Sequence, residues 1–250
     1  MSTTTLRDKV AIVTGAARGI GLAAVRRLVN DGASVLALDL PGSGLSGPNP
    51  QVEPIEADVA EADDWQRVVE HAQARFGRLD ILVNNAGIGG FIGPLVDYPV
   101  ESFDQVMAVN ARGVFLGMKH SAPAMSNGGS IVNISSISGI GGGANTLGYT
   151  ASKHAVIGMT KLAAIEFAPR RIRVNAVCPA PTATEMMFEL AREKSPDDVE
   201  GFRRGFEKNI PLGRYGEADE VAAAIAFFAS DEASFSTGAV LTVDGGMRAR

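Results

Sequence analysis

Short β-branched segments alternate with longer helix-patterned segments along the 250 residues of the chain. This alternation is typical of repeated βαβ units around a parallel sheet. Nearly all of the strand segments are apolar throughout, as expected for strands covered on both faces. The pattern predicts one α/β domain, residues 1–250, with a doubly wound, seven-stranded parallel sheet and helices on both faces. The strands are predicted over residues 9–14, 34–39, 53–57, 79–84, 129–135, 172–177 and 239–244, and the helices over 19–30, 62–76, 101–126, 150–168 and 217–229.

One crossover departs from this alternation. Residues 40–51 read "LPGSGLSGPNPQ", and the prolines and glycines prevent a regular helix between the second and third strands. We therefore expect this connection to be mostly loop.

Composition excludes several classes of function. A formal net charge of -5 gives no electrostatic reason to expect binding to nucleic acid or to anionic membranes. The only cysteine, Cys178, cannot form an intrachain disulfide, and a small buried apolar role suits it better than catalysis. His71, His120 and His154 fit no metal-ligand spacing. No secretory signal or membrane-length apolar run is present, so the sequence predicts a soluble cytoplasmic protein.

A glycine-rich turn, "TGAARGIG" (residues 14–21), leaves a predicted strand and enters a predicted helix. Gly15 can make the tight turn, and Gly19 and Gly21 can let backbone approach a pyrophosphate at the positive end of the helix. The alternative is a plain helix-entry turn. The position between a strand and a helix favours dinucleotide binding.

An acidic residue, Asp39, ends the second predicted strand at about the spacing expected for a carboxylate that binds an adenosine ribose. This favours NAD over NADP, because a 2′-phosphate at that position would meet like charge. Arg18 could still reach a phosphate, and Asp39 could instead be only a solvated turn residue.

Tyr149 and Lys153 are separated by one helical turn and share a helix face. A free phenol has a pKa of about 10, and a nearby ammonium lowers it toward the range of a useful base. Such a pair is often only an exposed helix face. Here, however, the strand before it ends at Ser135 and Ser136, on the edge where open α/β sheets bind ligands.

These segments together resemble the short-chain dehydrogenase/reductase family in its single-domain branch. The resemblance covers nearly the whole chain in the expected order. The matching motifs are "TGAARGIG" (14–21), "ADV" (57–59), "NNAG" (84–87), the asparagine of "MAVNARGVF" at 110, "SS" (135–136), "YTASK" (149–153), "RVNAVCP" (173–179) and "LTVDGG" (241–246).

The resemblance implies a Rossmann fold, a nicotinamide cofactor and the interconversion of a secondary alcohol and a ketone. It makes Tyr149 the general acid/base, Lys153 the group that lowers its pKa and binds the nicotinamide ribose, and Ser136 the group that positions the substrate oxygen. Asn110 would support a water-linked proton path from a locally distorted helix. The residues implied in cofactor binding are Gly15, Arg18, Gly19, Ile20, Gly21, Asp39, Asp58, Val59, Asn85, Ala86, Gly87, Tyr149, Lys153, Pro179, Thr182 and Thr184. Asn85 has a competing structural role, since its side chain could tie two strands together.

Ala180 departs from the family pattern, which usually has glycine after the proline at this point. The added methyl group could tighten the nicotinamide pocket. Residues 183–209 are predicted to be the substrate lid. Apolar side chains on it suggest a hydrophobic or cyclic substrate, although they could merely seal the lid to the body. The predicted substrate pocket contains Ser138, Met186, Met187 and Leu190.

By resemblance, helices 101–126 and 150–168 and the C-terminal segment "DGGMRAR" are subunit contacts of a homotetramer. The leading hypothesis is an NAD-dependent oxidoreductase acting on a small-molecule alcohol or ketone. The alternatives are an NADPH-dependent 3-oxoacyl-thioester reductase and a non-catalytic protein that senses a dinucleotide.

Overall fold

The computed structural model describes residues 6–47 and 49–249. Residues 1–5, on which the expected absence of a secretory signal partly rests, lie outside the described residues. So do residue 48 of the 40–51 connection and residue 250. No helix in the described part of the chain has both the length and the apolar character that crossing a bilayer requires.

Seven parallel strands form one sheet in the order β3-β2-β1-β4-β5-β6-β7. This confirms the predicted fold class. The chain order reverses between β1 and β4, where an open α/β sheet has its ligand crevice outside the carboxyl ends of the strands. The strands are β1 (Val10–Thr14), β2 (Ser34–Asp39), β3 (Val52–Glu56), β4 (Ile81–Asn84), β5 (Ser130–Ile134), β6 (Arg173–Pro179) and β7 (Val240–Val243).

Helices cover both faces of the sheet. They are α1 (Gly19–Asn30), α2 (Ala62–Phe76), α3 (Val100–Met107), α4 (Gly113–Ala124), α5 (Leu147–Glu166), α6 (Glu185–Lys194), α7 (Val199–Glu207) and α8 (Ala218–Ala229). One apolar core lies under α1 and α8 and includes Leu28 and Ile225. The other lies under α2, α4 and α5 and includes Trp65 and Val156. All residues of β1, β4, β5 and β6 are buried, which explains why their sequences are mainly apolar.

The long helix predicted over 101–126 is divided. It consists of α3, a π-helical turn over Ala108–Arg112, and α4. A π-helical turn inside an α-helix is a local distortion that often marks a functional site. The distortion expected around Asn110 is therefore confirmed.

Two further differences concern the start of α5 and the lid. Helix α5 begins at Leu147, before the predicted start at 150, so that Tyr149 lies within its first turn. The predicted lid contains two helices, α6 and α7, that were not predicted from the sequence because they are only ten and nine residues long. The described residues of the 40–51 connection contain no helix or strand, as expected.

A buried carboxylate, Asp80, holds the amino ends of β1 and β4 together. Its side chain accepts hydrogen bonds from Val10 N at 3.0 Å and from both ends of the Arg78 guanidinium at 2.8 Å. Burial alone would raise the pKa of Asp80, but these hydrogen bonds outweigh it and the pKa lies below its ordinary value. The opposite, carboxyl edge of the sheet is left to carry the candidate site.

Candidate active site

The glycine-rich turn requires glycine at three positions, because of either the backbone conformation or a lack of space. Gly15 and Gly19 have φ angles of 63° and 57°, in the left-handed region that favours glycine. A Cβ on Gly21 would lie 1.9 Å from the carbonyl oxygen of Gly15. Arg18, the N-cap residue of α1, makes no side-chain capping hydrogen bond. An uncapped helix N-terminus next to bare backbone fits the pyrophosphate of a dinucleotide.

The end of β4 packs directly on this turn. The Asn85 side chain donates to the carbonyl oxygens of Thr14 at 2.9 Å and Gly15 at 3.1 Å. The Thr14 hydroxyl accepts the backbone N–H groups of Asn85 and Ala86, both at 2.9 Å. The structural role considered for Asn85 is therefore present. Its contact with a cofactor stays a prediction, as does that of Ala86.

Asp39 ends β2 next to the glycine-rich turn, as predicted. Its Oδ2 accepts a hydrogen bond from Ala17 N, and its Oδ1 accepts one from its neighbour Leu40 N, both at 2.8 Å. These bonds orient the carboxylate, and each oxygen keeps a lone pair for a further donor such as a ribose hydroxyl. Asp39 is thus more than a solvated turn residue.

The predicted lid begins against the same turn. A Cβ on Gly19 would lie 3.4 Å from Cγ2 of Thr184, the residue before α6. Arg18 Nη1 lies 2.7 Å from Glu189 Oε1 of α6, in an exposed ion pair. The guanidinium that could have reached a phosphate is thus engaged by an acid that the sequence analysis did not identify.

The other predicted cofactor residues lie along the carboxyl edge of the sheet. Asp58 Oδ1 accepts from Ala60 N at 2.8 Å, and the Val59 carbonyl accepts from Trp65 Nε1 at 3.0 Å. Ile20 is the second residue of α1 and packs on the core. Pro179 is the buried last residue of β6. The backbone N–H of Ala180 donates to Val243 O at 3.0 Å, which joins the chain after β6 to the end of β7, and the effect of the Ala180 methyl group on a nicotinamide pocket stays a prediction.

The serine, tyrosine and lysine predicted as a catalytic set come together at the end of β5. Lys153 Nζ donates to the carbonyl oxygen of Ile134 at 2.9 Å and lies 5.6 Å from the centroid of the Tyr149 ring. A hydrogen bond with the Ser136 side chain is one of the influences on the Tyr149 phenol. Ser135 instead donates to the carbonyl oxygen of Lys153 at 2.8 Å, a structural contact.

Asn110 lies beside this set. Its Oδ1 accepts from Ile88 N at 2.8 Å, and its Nδ2 donates to Ile88 O at 2.9 Å and to Ser152 Oγ at 3.1 Å. A Cβ on Gly87 would lie 3.2 Å from Asn110 Oδ1 and 3.4 Å from Lys153 Nζ. Glycine at position 87 thus keeps open the space between the amide and the ammonium.

The protonation of the pair differs from the prediction. Burial raises the pKa of Tyr149 above its ordinary value, and the Ser136 hydrogen bond only partly opposes this. Burial also lowers the pKa of Lys153 to about 8. The prediction that Lys153 lowers the pKa of Tyr149 is wrong for this structure, because desolvation acts on both groups and the ammonium is held by a carbonyl.

The predicted substrate-pocket residues are spread over two segments. Ser138 donates its backbone N–H to Ser136 Oγ at 3.1 Å and so belongs to the catalytic cluster. Met186, Met187 and Leu190 lie on α6, and their place in a pocket stays a prediction. Thr182 Oγ1 donates to Ala180 O at 2.9 Å, and Thr184 Oγ1 donates to Thr182 O at 3.3 Å.

Cys178 is fully buried, and burial raises the pKa of its thiol. Both facts match the small apolar role expected of it. In residues 6–47 and 49–249, no three His, Cys, Asp or Glu side chains are grouped closely enough to hold a metal ion.

Comparison with known proteins shows the family of the chain. A family model described as enoyl-(acyl carrier protein) reductase matches residues 15–248. The chain is 36% identical to a levodione reductase of Leifsonia aquatica, over 99% of this chain and 97% of the relative. It belongs to the short-chain dehydrogenase/reductase family. Such a protein is an oxidoreductase whose fold binds nicotinamide dinucleotides.

Two further relatives of this family member carry other names. A 3-oxoacyl-[acyl-carrier-protein] reductase of Thermotoga maritima is 42% identical over 97% of this chain and 98% of the relative. A trans-4-hydroxycyclohexanecarboxylate dehydrogenase of Sinomonas cyclohexanicum is 40% identical over 96% and 92%. The crystal structure of a levodione reductase matches with a TM-score of 0.93 at 36% identity, covering 97% of this chain and 98% of that one.

Replacing the buried lysine tests how much its charge destabilises the folded protein. The pKa of Lys153 in the folded state, about 8, lies below its ordinary 10.5, so at pH 7 the buried ammonium costs folding free energy of about 3 kcal/mol. We expect Lys153→Met to raise the melting temperature at pH 7. The difference should shrink as pH rises from 8 to 10.5, because the parent lysine then loses its charge. Calorimetry across this range measures the effect.

The matched control is Lys161→Met, an exposed lysine of the same helix, which should leave the melting temperature nearly unchanged. A lower melting temperature for Lys153→Met than for the parent at pH 7 would show that the hydrogen bond to Ile134 outweighs the desolvation cost.

Proposed function

We propose that the protein is an NAD-dependent oxidoreductase that interconverts a secondary alcohol and a ketone on a hydrophobic or cyclic substrate. We further propose that it is a single domain whose substrate lid is residues 183–209. The observation that carries the proposal is the cluster of Ser136, Tyr149, Lys153 and Asn110, which lies at the carboxyl edge of the sheet beside the glycine-rich turn. A cytoplasmic location stays a prediction from the single cysteine.

Each member of the cluster has one task in this proposal. Ser136 holds the substrate oxygen, and Tyr149 gives a proton to that oxygen or removes one from it. The raised pKa of Tyr149 keeps its proton at neutral pH, the form that ketone reduction requires. Alcohol oxidation requires the deprotonated phenol, so its rate is expected to rise with pH. Lys153 binds the ribose on the nicotinamide side, and Asn110 supports the path by which the proton is exchanged with solvent.

The bound nicotinamide supplies the hydride acceptor or donor. The residues that would hold the cofactor fit it, since the bare backbone of the glycine-rich turn suits a pyrophosphate and Asp39 suits a ribose hydroxyl. The open space beside Gly87, next to Lys153 and Asn110, suits the ribose on the nicotinamide side.

The relatives support a cyclic substrate. One is named for the oxidation of trans-4-hydroxycyclohexanecarboxylate, a ring alcohol, and another for the reduction of levodione. Half-buried and exposed methionines on α6 suit an apolar ring, because the flexible thioether side chain adapts to irregular shapes.

A second candidate is 3-oxoacyl-thioester reduction with NADPH. It is favoured by the identity of 42% to the Thermotoga maritima enzyme. Asp39 weighs against it, because an acid near the ribose disfavours a 2′-phosphate. A third candidate is a non-catalytic dinucleotide sensor. Such a protein would bind NAD, but no alcohol or ketone in a broad panel would change the absorbance of the nicotinamide.

Removing one hydroxyl tests the assigned acid/base. We expect Tyr149→Phe to keep NAD binding by calorimetry and to lose about 10²- to 10⁴-fold in kcat on any accepted alcohol, because proton transfer is then lost. The matched control is Tyr98→Phe, since the buried Tyr98 hydroxyl has no hydrogen-bond partner in the described part of the chain. Full turnover by Tyr149→Phe would reject Tyr149 as the acid/base.

Removing one charge tests the cofactor assignment. We expect the parent to prefer NAD in kcat/KM, and Asp39→Asn to narrow the preference over NADP about tenfold or more, because the variant no longer repels a 2′-phosphate. The amide retains an oxygen to accept the Ala17 hydrogen bond. Asp97→Asn, an exposed acid elsewhere, controls for net charge. Binding of NADP to the parent as tight as that of NAD would contradict the role of Asp39.

We also propose that the protein is a homotetramer. Exposed apolar side chains support this, among them Phe115 of α4 and Leu162 and Ile165 of α5, and exposed surfaces of this kind often mark interfaces. We expect a solution mass near four times that of one chain, and a smaller assembly for Ile165→Asp. Leu95→Asp, at another exposed leucine, should not change the mass. A parent that is monomeric at micromolar concentration would rule the tetramer out.

A further inference from the structure

The C-terminal segment folds back over the carboxyl edge of the sheet. After β7, Gly245 and Gly246 have φ angles of 57° and 88°, and the Asp244 carboxylate accepts the backbone N–H groups of Gly246 at 3.0 Å and Arg248 at 2.8 Å. This turn directs Arg248 toward the loop after β5. Its Nη2 donates to the carbonyl oxygen of Ile137 at 3.1 Å.

The guanidinium of Arg248 also lies against Gly141. A Cβ on Gly141 would be 1.6 Å from Arg248 Nη2 and 2.2 Å from Cζ. Only the absence of a side chain at position 141 leaves room for the arginine. The glycine-rich loop after Ser136 therefore receives a cation from a segment more than 100 residues away.

This cation lies at the rim of the candidate active site. Ile137 directly follows Ser136, whose Oγ accepts from Ser138 N in the same turn. Strands β5, β6 and β7 are neighbours in the sheet, and their parallel carboxyl ends share one edge. Arg248, coming from β7 to the loop after β5, thus crosses the edge that carries Ser136 and Tyr149.

The guanidinium keeps donors for a ligand. Among residues 6–47 and 49–249, no carboxylate lies within ion-pair distance of Arg248, and Ile137 O takes one of its five N–H donors. The side chain is exposed, so its charge is available to a group that enters from solvent. A planar guanidinium binds a carboxylate through two parallel hydrogen bonds, which a lysine cannot reproduce.

We propose that Arg248 determines substrate specificity by binding the carboxylate of an anionic ring alcohol or ketone. The inference rests on the proposed function and deepens it. The ring would lie between Arg248 at the rim and the oxygen-binding Ser136, with its carboxylate at the end away from the reacting carbon. Arg248 binds and orients the substrate and takes no part in the proton transfer.

A purely structural role predicts a different outcome. If Arg248 only holds the turn over Ile137–Gly139, its loss would disturb Ser136 and slow every substrate alike. If it binds a carboxylate, its loss weakens the binding and turnover of anionic ligands and leaves those of neutral ligands with the same ring nearly unchanged. Comparing a charged with an uncharged ligand therefore separates the two roles.

The first measurement is binding. With NADH present, the dissociation constants of cyclohexanecarboxylate and cyclohexanone are measured by calorimetry for the parent and for Arg248→Gln. We expect Arg248→Gln to weaken binding of the carboxylate at least tenfold and binding of the ketone less than threefold. Rising salt should weaken carboxylate binding by the parent and not by the variant, because the interaction is one between charges.

The second measurement is turnover of trans-4-hydroxycyclohexanecarboxylate and of cyclohexanol with NAD. We expect Arg248→Gln to lower kcat/KM at least tenfold for the acid alone, mostly through KM. Gly141→Ala should reproduce this selective loss while keeping the arginine, since the added methyl group displaces the guanidinium. Arg75→Gln, an exposed arginine of α2, is the matched control and should change neither substrate. Melting curves verify that each variant is folded.

Equal losses of binding or turnover for the acid and the neutral ligand in Arg248→Gln would overturn the proposal. Unchanged carboxylate binding in this variant would also overturn it. So would a changed solution mass of the variant, because that would place Arg248 in a subunit contact. Failure of the proposed function looks different. In that case the parent turns over neither alcohol, whereas carboxylate binding that depends on Arg248 would still support the anion site.

Discussion

The hydrogen bond from Lys153 Nζ to the carbonyl oxygen of Ile134 is the contact on which the candidate site depends. It joins the start of α5 to the last residue of β5, and Ser135 Oγ returns a second bond to the carbonyl oxygen of Lys153. These two bonds lock the strand end to the helix, so Ser136 and Tyr149 face each other. Gly139 closes on the same point, where a Cβ would lie 2.6 Å from Lys153 O. The backbone of β5, the Lys153 side chain and the missing side chain of Gly139 together fix how the end of β5 packs on α5.

This packing has an electrostatic cost that the surrounding contacts do not remove. Burial favours the neutral form of both members of the pair, raising the pKa of Tyr149 and lowering that of Lys153 to about 8. A buried ammonium next to a protonated phenol is a poor arrangement for stability, since it pays desolvation without an anionic partner. It is a good arrangement for negative charge that develops on a nearby oxygen, because preorganised donors in a dry site stabilise that charge strongly. The site therefore gives up folding free energy to hold groups that a reacting oxygen would use.

The elements that the sequence predicts well are those whose environment is local or uniform. Buried parallel strands are mainly apolar, and the tight turn needs glycine at 15 and 21, so both leave a clear pattern. Pairings between distant segments leave none. Arg18 meets Glu189, Asn85 bonds Thr14 and Gly15, and Arg248 reaches Ile137, each because the tertiary fold brings two unremarkable stretches together. The lid helices α6 and α7 were not predicted because they are short, ten and nine residues, and bury almost no side chains. The direction of the Tyr149 pKa shift was mispredicted because sequence spacing indicates proximity and not desolvation.

The same contrast between buried and exposed contacts divides the site into a rigid and an adaptable part. Asn110 and Ser152 are buried and joined by a hydrogen bond, and the buried Lys153 is bonded to the carbonyl oxygen of Ile134, so these groups are held in one geometry. The predicted lid, by contrast, is tied to the glycine-rich turn by the exposed pair of Arg18 and Glu189, and an exposed ion pair contributes only about 0–1 kcal/mol. In the proposed function, substrate selection would fall to this weakly held side, formed by the predicted lid and the C-terminal segment at Arg248. The relatives align along nearly their whole length and yet are named for different substrates, as expected if selection lies outside the catalytic cluster. A change at this exposed segment should therefore cost the fold little, whereas in the proposed mechanism a change at Lys153 or Asn110 would disturb proton exchange.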